Sequence, residues 1–330
     1  MISSLLTLAL MILLVGVLLL GATVLLMALT LLRPPRMTDG KAVIVLRRLS
    51  PGDLGLRFEE TRFDVRDRRT GRALPIAGWW IPHARGDGKC VVLVHGYADA
   101  KVGAIAWAPL WHDLGYNILA IDLRAHGYSG GKDSTAGFWE RHDLDQVLDQ
   151  LLAERADDAR RLVLFGVSLG AAVALGTAEM RDDVEALVLE CPYARYANAV
   201  DAHARVMQMP LPTFVPLAVR LAERISGADF GAVSPAELLK RVTAPAMLIH
   251  GANDPFVPRG DVTTLAQVMR ERAERGIPSQ YWLVDGAAHV MGIVAGVGEY
   301  RRRIVEFLKQ VEPRSREVAK VGCEESRANT

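Results

Sequence analysis

From Ile2 to Leu32 the chain carries no charged side chain, and most of that run is Leu, Val, Ile, Ala or Met. Such a stretch has no polar face to turn toward water, so it is unlike the amphipathic helix that lies on a globular core. A helix crossing a bilayer needs about 20 apolar residues. This run would give a helix of roughly 46 Å, longer than the ~30 Å hydrocarbon layer, so it is expected to tilt or protrude. Pro34 and Pro35 then end it by removing backbone donors. A cleaved signal peptide would begin with basic residues and carry a shorter apolar stretch, whereas the first basic residue here is Arg33. Residues 1–36 are therefore expected to form a transmembrane anchor, with membrane contact through residues 2–32. Arg33, Arg36, Lys41, Arg47 and Arg48 follow the run, and only the α-amino group precedes it. The positive-inside rule accordingly expects a single-pass protein with its remaining mass in the cytoplasm.

The rest of the chain is ordinary in composition. The whole is 330 residues, 50% hydrophobic and 23% charged, with a net charge of +1. That is too apolar for a disordered chain and too neutral for a nucleic-acid binder that relies on charge. Three cysteines are too few to staple a chain of this size, and no metal-type Cys/His spacing surrounds them. No cofactor or metal is expected, and the oligomeric state is left open.

From residue 90 onward short apolar runs alternate with longer amphipathic stretches. The runs are 91–94, 118–121, 162–165, 186–189, 246–249 and 281–284. Helix-like segments lie near 103–114, 137–154, 169–180, 260–274 and 299–311. This rhythm predicts an α/β fold: a mostly parallel central sheet with helices on both faces. Residues 56–81 read as strands, with Trp79 and Trp80 expected in a core rather than on a ligand. Residues 191–243 interrupt the rhythm with helical pieces broken at Pro210, Pro212 and Pro216, and are expected to form a short helical lid. The folded domain is expected over 37–311, followed by a polar, disordered tail over 312–330.

Four strand ends carry chemistry. Gly166-Val167-Ser168-Leu169-Gly170 follows the apolar run LVLF and opens a helix-like stretch. In that strand–turn–helix setting a G-x-S-x-G motif lifts the serine above the sheet edge, and the next residue lends its N–H to an oxyanion hole. His95-Gly96-Tyr97 ends an earlier strand, where Tyr97 is expected to supply the second N–H. Downstream, Asp254 follows the strand MLIHG and His289 follows YWLV by one short loop. The chain order Ser168, Asp254, His289 suits a nucleophile, an orienting acid and a general base. Asp285 is the rival acid. It shares a loop with His289, so it is poorly placed to reach around to Nδ1. His250 is expected to support the acid loop.

Taken together, VVLVHGYADA, AIDLRAHGYSGGKDS, GVSLG, LIHGANDPFVP and DGAAHV resemble the α/β-hydrolase superfamily, and in particular its Bem46-like and serine-aminopeptidase-like (monoacylglycerol-lipase-like) members. The resemblance spans roughly residues 75–311. It implies the α/β-hydrolase fold, catalysis by Ser168, Asp254 and His289, and an oxyanion hole from the backbone of Tyr97 and Leu169.

The expected activity is hydrolysis of a carboxylic ester, lipid-like or otherwise acyl, with a thioester as a variant, through an acyl-enzyme. A carboxylesterase or a lysophospholipase-like or monoacylglycerol-lipase-like enzyme fits this chemistry. The lid contributes Tyr193, Tyr196, Met207, Met209, Leu211, Phe214 and Leu221, of which Tyr193, Met207 and Phe214 are expected to touch an acyl substrate. A peptidase of aminopeptidase type is the second enzymatic reading. It would need a carboxylate for the substrate amine, with Glu190 or Asp201 as candidates. A catalytically silent, membrane-tethered binding module is the reading outside enzymes. Because every catalytic element lies after residue 90, the anchor is expected to be separable from the domain.

Overall fold

The computed structural model describes residues 2–85, 87–208 and 212–328. Its centre is an eight-stranded sheet in the order β1-β2-β4-β3-β5-β6-β7-β8. The strands are β1 (Glu59–Arg66), β2 (Ala73–Ile81), β3 (Lys89–Val94), β4 (Asn117–Ile121), β5 (Arg161–Val167), β6 (Val184–Glu190), β7 (Ala246–Gly251) and β8 (Ser279–Val284). β1 and β2 are joined as an antiparallel hairpin, and β2 pairs antiparallel with β4. Every pairing from β4 through β3 to β8 is parallel. β3–β6 are buried almost throughout because helices cover both faces, which is why they read as continuous apolar runs.

The helices are α1 (Ile2–Leu32), α2 (Asp39–Leu46), α3 (Lys101–Ala104), α4 (Ala108–Asp113), α5 (Glu140–Glu154) and α6 (Leu169–Ala178). They continue with α7 (Tyr196–Val206), α8 (Val215–Ser226), α9 (Pro235–Arg241), α10 (Arg259–Glu274), α11 (Gly292–Ala295) and α12 (Val297–Ala328). One face of the sheet packs on α5, α6, α9 and α10, with Leu144, Leu175, Leu238 and Leu265 in its core. The other packs on α3, α4 and α12, around Ile105, Trp111, Ile304 and Phe307. Trp80 is 1% exposed and Trp79 5%, as their expected core role requires. Trp79 also spends its indole N–H on Glu60 at 2.9 Å.

Three boundaries differ from the sequence reading. The stretch 103–114 is not one helix. A tight 3₁₀ turn at Ile105–Trp107 separates α3 from α4, which begins with Pro109 in its first turn. α5 starts at Glu140 rather than 137 because Ser134–Gly137 wrap the buried Glu140 carboxylate, which accepts from Ser134 Oγ, Thr135 N and Oγ1, and Gly137 N. α12 runs on through Glu312 to Ala328, so no helix end marks the expected domain boundary at 311.

The lid is α7, α8 and α9, with Pro216 in the first turn of α8 where its missing N–H does no harm. Met209, Pro210 and Leu211 lie outside the described residues. The N-terminal helix is long and apolar enough to cross a membrane over Ser4–Leu32. It is not a separate rod. Met27, Ala28 and Leu32 are buried in a cluster with Val215, Ala218, Val219 and Ala222 of α8.

The last carbonyls of a helix lack intrahelical partners, and here other segments supply them. Tyr97 Oη donates to Thr30 O at 2.6 Å, and Ser134 N donates to Leu32 O at 2.6 Å. Four residues on, the Arg36 guanidinium donates to the carbonyls of His126, Gly127, Ser129 and Gly131. The segment before Met37, expected to be separable, is thus packed and hydrogen-bonded to the domain.

Candidate active site

β5 delivers Ser168 through a turn that only certain neighbours allow. Ser168 has φ 52° and ψ −115°, a region that costs a non-glycine residue on the order of 1–3 kcal/mol. The flanking glycines make the turn possible. A Cβ at Gly166 would collide with the Gly170 carbonyl, and one at Gly170 with the Val94 and His95 carbonyls of the neighbouring strand end. The turn leaves Ser168 at the N-cap of α6. Leu169 is the first residue of that helix, so its N–H has no intrahelical acceptor and sits in the positive field of the helix start.

Tyr97 follows β3 in a turn held by two buried histidines. His95 Nδ1 donates to Gly96 O at 2.7 Å, and its Nε2 accepts from Leu123 N at 2.9 Å. His126 Nδ1 donates to Arg124 O at 2.8 Å, and its Nε2 accepts from Ala98 N at 3.2 Å. Both rings must be neutral to accept. Burial, aided by the neighbouring His126, pushes the His95 pKa down to about 3, and burial lowers that of His126 as well. Ala98 and Asp99 use their N–H groups within this turn, and Tyr97 N donates to no group among the described residues.

The candidate acid and base, Asp254 and His289, lie just past the ends of β7 and β8. His289 Nδ1 lies 2.6 Å from Asp254 Oδ2. The Asp254 side chain is 1% exposed and that of His289 18%. Burial alone would raise the Asp254 pKa. The hydrogen bond and charge of His289, the N–H of Phe256 and the Cys191 thiol outweigh it and hold the carboxyl below its ordinary value. Asp285 is exposed, and His289 Nδ1 turns to Asp254 instead. Cys191 Sγ, the Asp254 carboxylate and His289 lie within 4.8 Å of one another, which is the spacing of a metal site. His289 Nδ1 and Asp254 Oδ2 face each other at 2.6 Å, and burial raises the Cys191 pKa well above its usual value.

Ser168, Leu169, Tyr97 and His289 line one cavity of about 280 Å³. Tyr193 and Met207 line it. Phe214 does not. It packs in the cluster that α8 shares with the N-terminal helix, because the lid's apolar residues face two ways. His203 and Phe256, stacked at 4.4 Å, line it too, as do Met27, Thr30 and Leu31 of α1.

The two carboxylates considered for an amine subsite are engaged elsewhere. Glu190 is buried and accepts from Tyr300 Oη at 2.7 Å and Gly292 N at 2.9 Å, while Asp201 pairs with Arg205 at 2.9 Å. His250 does not hold the acid loop. It donates from Nε2 to Pro192 O at 2.8 Å and so ties β7 to the start of the lid. Neither Cys191 nor the α1 residues carried any local motif that could have marked them.

The chain is similar in sequence and shape to known proteins. The family model described as serine aminopeptidase matches residues 87–229, from before β3 into the lid. YqkD of Bacillus subtilis is 27% identical over 221 residues, covering 66% of this chain and 70% of that protein. The lysophosphatidylserine lipase ABHD12 of Mus musculus is 26% identical over 187 residues, covering 54% of this chain but only 45% of that one. The esterase Pf2001 of Pyrococcus furiosus superposes with a TM-score of 0.66 at 25% identity, over 85% of this chain and 97% of that chain. A family match that contains the serine elbow, and a superposition that takes in nearly all of a solved esterase, show that the chain has the α/β-hydrolase fold and is similar to members of that superfamily.

Proposed function

We propose that this chain is a membrane-anchored serine hydrolase that cleaves a carboxylic ester with a lipid-like acyl group. The observation that carries the reading is the 2.6 Å contact of His289 Nδ1 with Asp254, at the edge of the cavity that Ser168 lines. His289 Nε2 takes the proton of Ser168 Oγ as the oxygen attacks the acyl carbonyl. Asp254 keeps the ring in the tautomer with its proton on Nδ1 and stabilises the imidazolium that forms. The N–H groups of Tyr97 and Leu169 receive the oxyanion. His289 returns the proton to the leaving alcohol and then activates water to release the acid from the acyl-enzyme.

The lining supports this substrate class. It is almost entirely apolar and contains no carboxylate among the described residues. Tyr193 and Met207 serve as acyl contacts. The ABHD12 relative is named for a lipid ester, which agrees with this class. The family description as serine aminopeptidase favours a second reading, hydrolysis of an aminoacyl bond. Residues 1–36 act as the anchor and 37–311 as the catalytic domain.

Initial rates test the reading. Full-length protein in detergent micelles should hydrolyse a p-nitrophenyl acyl ester faster than an aminoacyl p-nitroanilide. Ser168→Ala should lower ester turnover by several orders of magnitude, on the order of 10³ or more. Preference for the anilide would transfer the assignment to the peptidase reading. Equal turnover in Ser168→Ala would remove both.

A further inference from the structure

The N-terminal helix passes through two surroundings. Residues 4–22 are exposed without interruption, and Thr23 is the first position with partial cover from the protein. At 1.5 Å per residue the exposed part is about 28 Å long, close to the ~30 Å hydrocarbon thickness of a bilayer. The excess length noted in the sequence is thus taken up by docking rather than by tilt alone. Met27, Thr30 and Leu31 then line the cavity that holds Ser168 and His289. Met27 stands about 7 Å along the axis from Ala22, the last residue of the exposed stretch.

Several polar groups of this wall already have partners. Thr30 Oγ1 donates to Leu26 O, Tyr97 Oη to Thr30 O, Tyr193 Oη to Ala136 O, and Ser134 Oγ to Glu140. The cavity therefore offers hydrocarbon contact away from the reacting atoms, and a polar guest would lose its hydration for nothing. The lid helices beside α1 leave Val206, Met207 and Leu217 exposed at 41%, 65% and 50%. Exposed apolar side chains beside the end of a membrane helix suit the boundary between headgroups and acyl chains better than water.

We propose that the last two turns of the N-terminal helix are a specificity-determining wall of the substrate site, and that a single-chain ester lipid moves from the adjoining leaflet along this helix to Ser168. The inference rests on the ester-hydrolase reading and adds the source and path of the substrate. At about 280 Å³ the cavity lies near the lower end of ligand pockets, which suits one acyl chain. Tyr97 couples the two parts. Its hydroxyl caps the helix at Thr30, and its main chain carries a proposed oxyanion donor.

The test uses the full chain in phosphatidylcholine vesicles. Leu31→Trp and Met27→Trp fill the cavity, and Leu14→Trp changes only the exposed part of the helix. kcat/KM is read for p-nitrophenyl laurate and p-nitrophenyl acetate. The laurate-to-acetate ratio should fall by about tenfold or more in both cavity variants, since even one methylene in an apolar pocket is worth that much. It should stay within about twofold of wild type in Leu14→Trp. An unchanged ratio in both cavity variants overturns the inference. Where a tryptophan variant fails to melt like wild type, Leu31→Ala replaces it, and an unchanged ratio there is equally decisive.

A second arm needs no turnover. Vesicles doped with a lysophosphatidylcholine bearing a chain-end diazirine are photolysed with wild-type protein, and adducts are mapped by mass spectrometry. Adducts at residues 27–31 together with Phe256 or α7 are expected. Adducts confined to residues 4–22 overturn the path. Cavity adducts without any ester turnover would leave the path standing and remove the hydrolase reading instead.

Discussion

At the scale of single residues, the assignment turns on which carboxylate faces His289. Both Asp254 and Asp285 lie near it in the sequence logic, and only Asp254 meets Nδ1, at 2.6 Å. Asp254→Asn should lower ester kcat by roughly 10³–10⁴, because an amide in that place favours the wrong imidazole tautomer. Asp285→Asn should change kcat by less than about twofold, being exposed and unconnected to the ring. Rates measured at one pH for both variants decide the matter, and the reverse ranking would move the role to Asp285. These residues were legible in the sequence because each ends a strand beside a short local motif. Phe214 was not. Its apolar character marked it for burial, but not for which of two apolar surfaces would bury it. Cys191 was equally silent, since its contact with Asp254 joins residues 63 positions apart.

At the scale of elements, the turn after β3 illustrates how charge state holds geometry. His95 and His126 each accept one main-chain N–H and donate to one carbonyl, which works only while both are neutral. The unfolded chain protonates His95 near 6.5, and the folded chain resists until about 3. Below 6.5 the unfolded state binds more protons, so the stability contributed by this ring is present at neutral pH and is lost as pH falls through that window. The thermal midpoint should therefore drop between pH 7 and pH 4.5, and it should drop less steeply in His95→Asn. Identical slopes in the two proteins, read by differential scanning calorimetry, would show that His95 is not the group responsible. The alternation of strands and helices announced most elements. It missed the 3₁₀ break at Ile105–Trp107 and the late start of α5, because apolar periodicity does not report side-chain hydrogen bonds to the backbone, such as those that Glu140 accepts from Ser134–Gly137 just before it.

At the scale of the whole molecule, the N-terminal helix and the hydrolase domain are one packed object. The sequence marked the helix plainly but not its docking, since Met27 and Leu31 meet α8 and the cavity only in the folded chain. Arg33, Arg36, Lys41, Arg47 and Arg48 flank its C-terminal end. These charges should hold the catalytic domain in the cytoplasm. Protease added to intact cells or spheroplasts should then leave the domain uncut, and cleavage from outside would show that other insertion signals dominate.

The most direct measurement for the account as a whole is covalent labelling of the full-length protein in its membrane by a fluorophosphonate, with the adduct located by peptide mass spectrometry. The account predicts one adduct, on Ser168, slowed in Asp254→Asn and absent in Ser168→Ala. Undiminished labelling of Ser168→Ala, or an adduct on another residue of the wild-type chain, would contradict it.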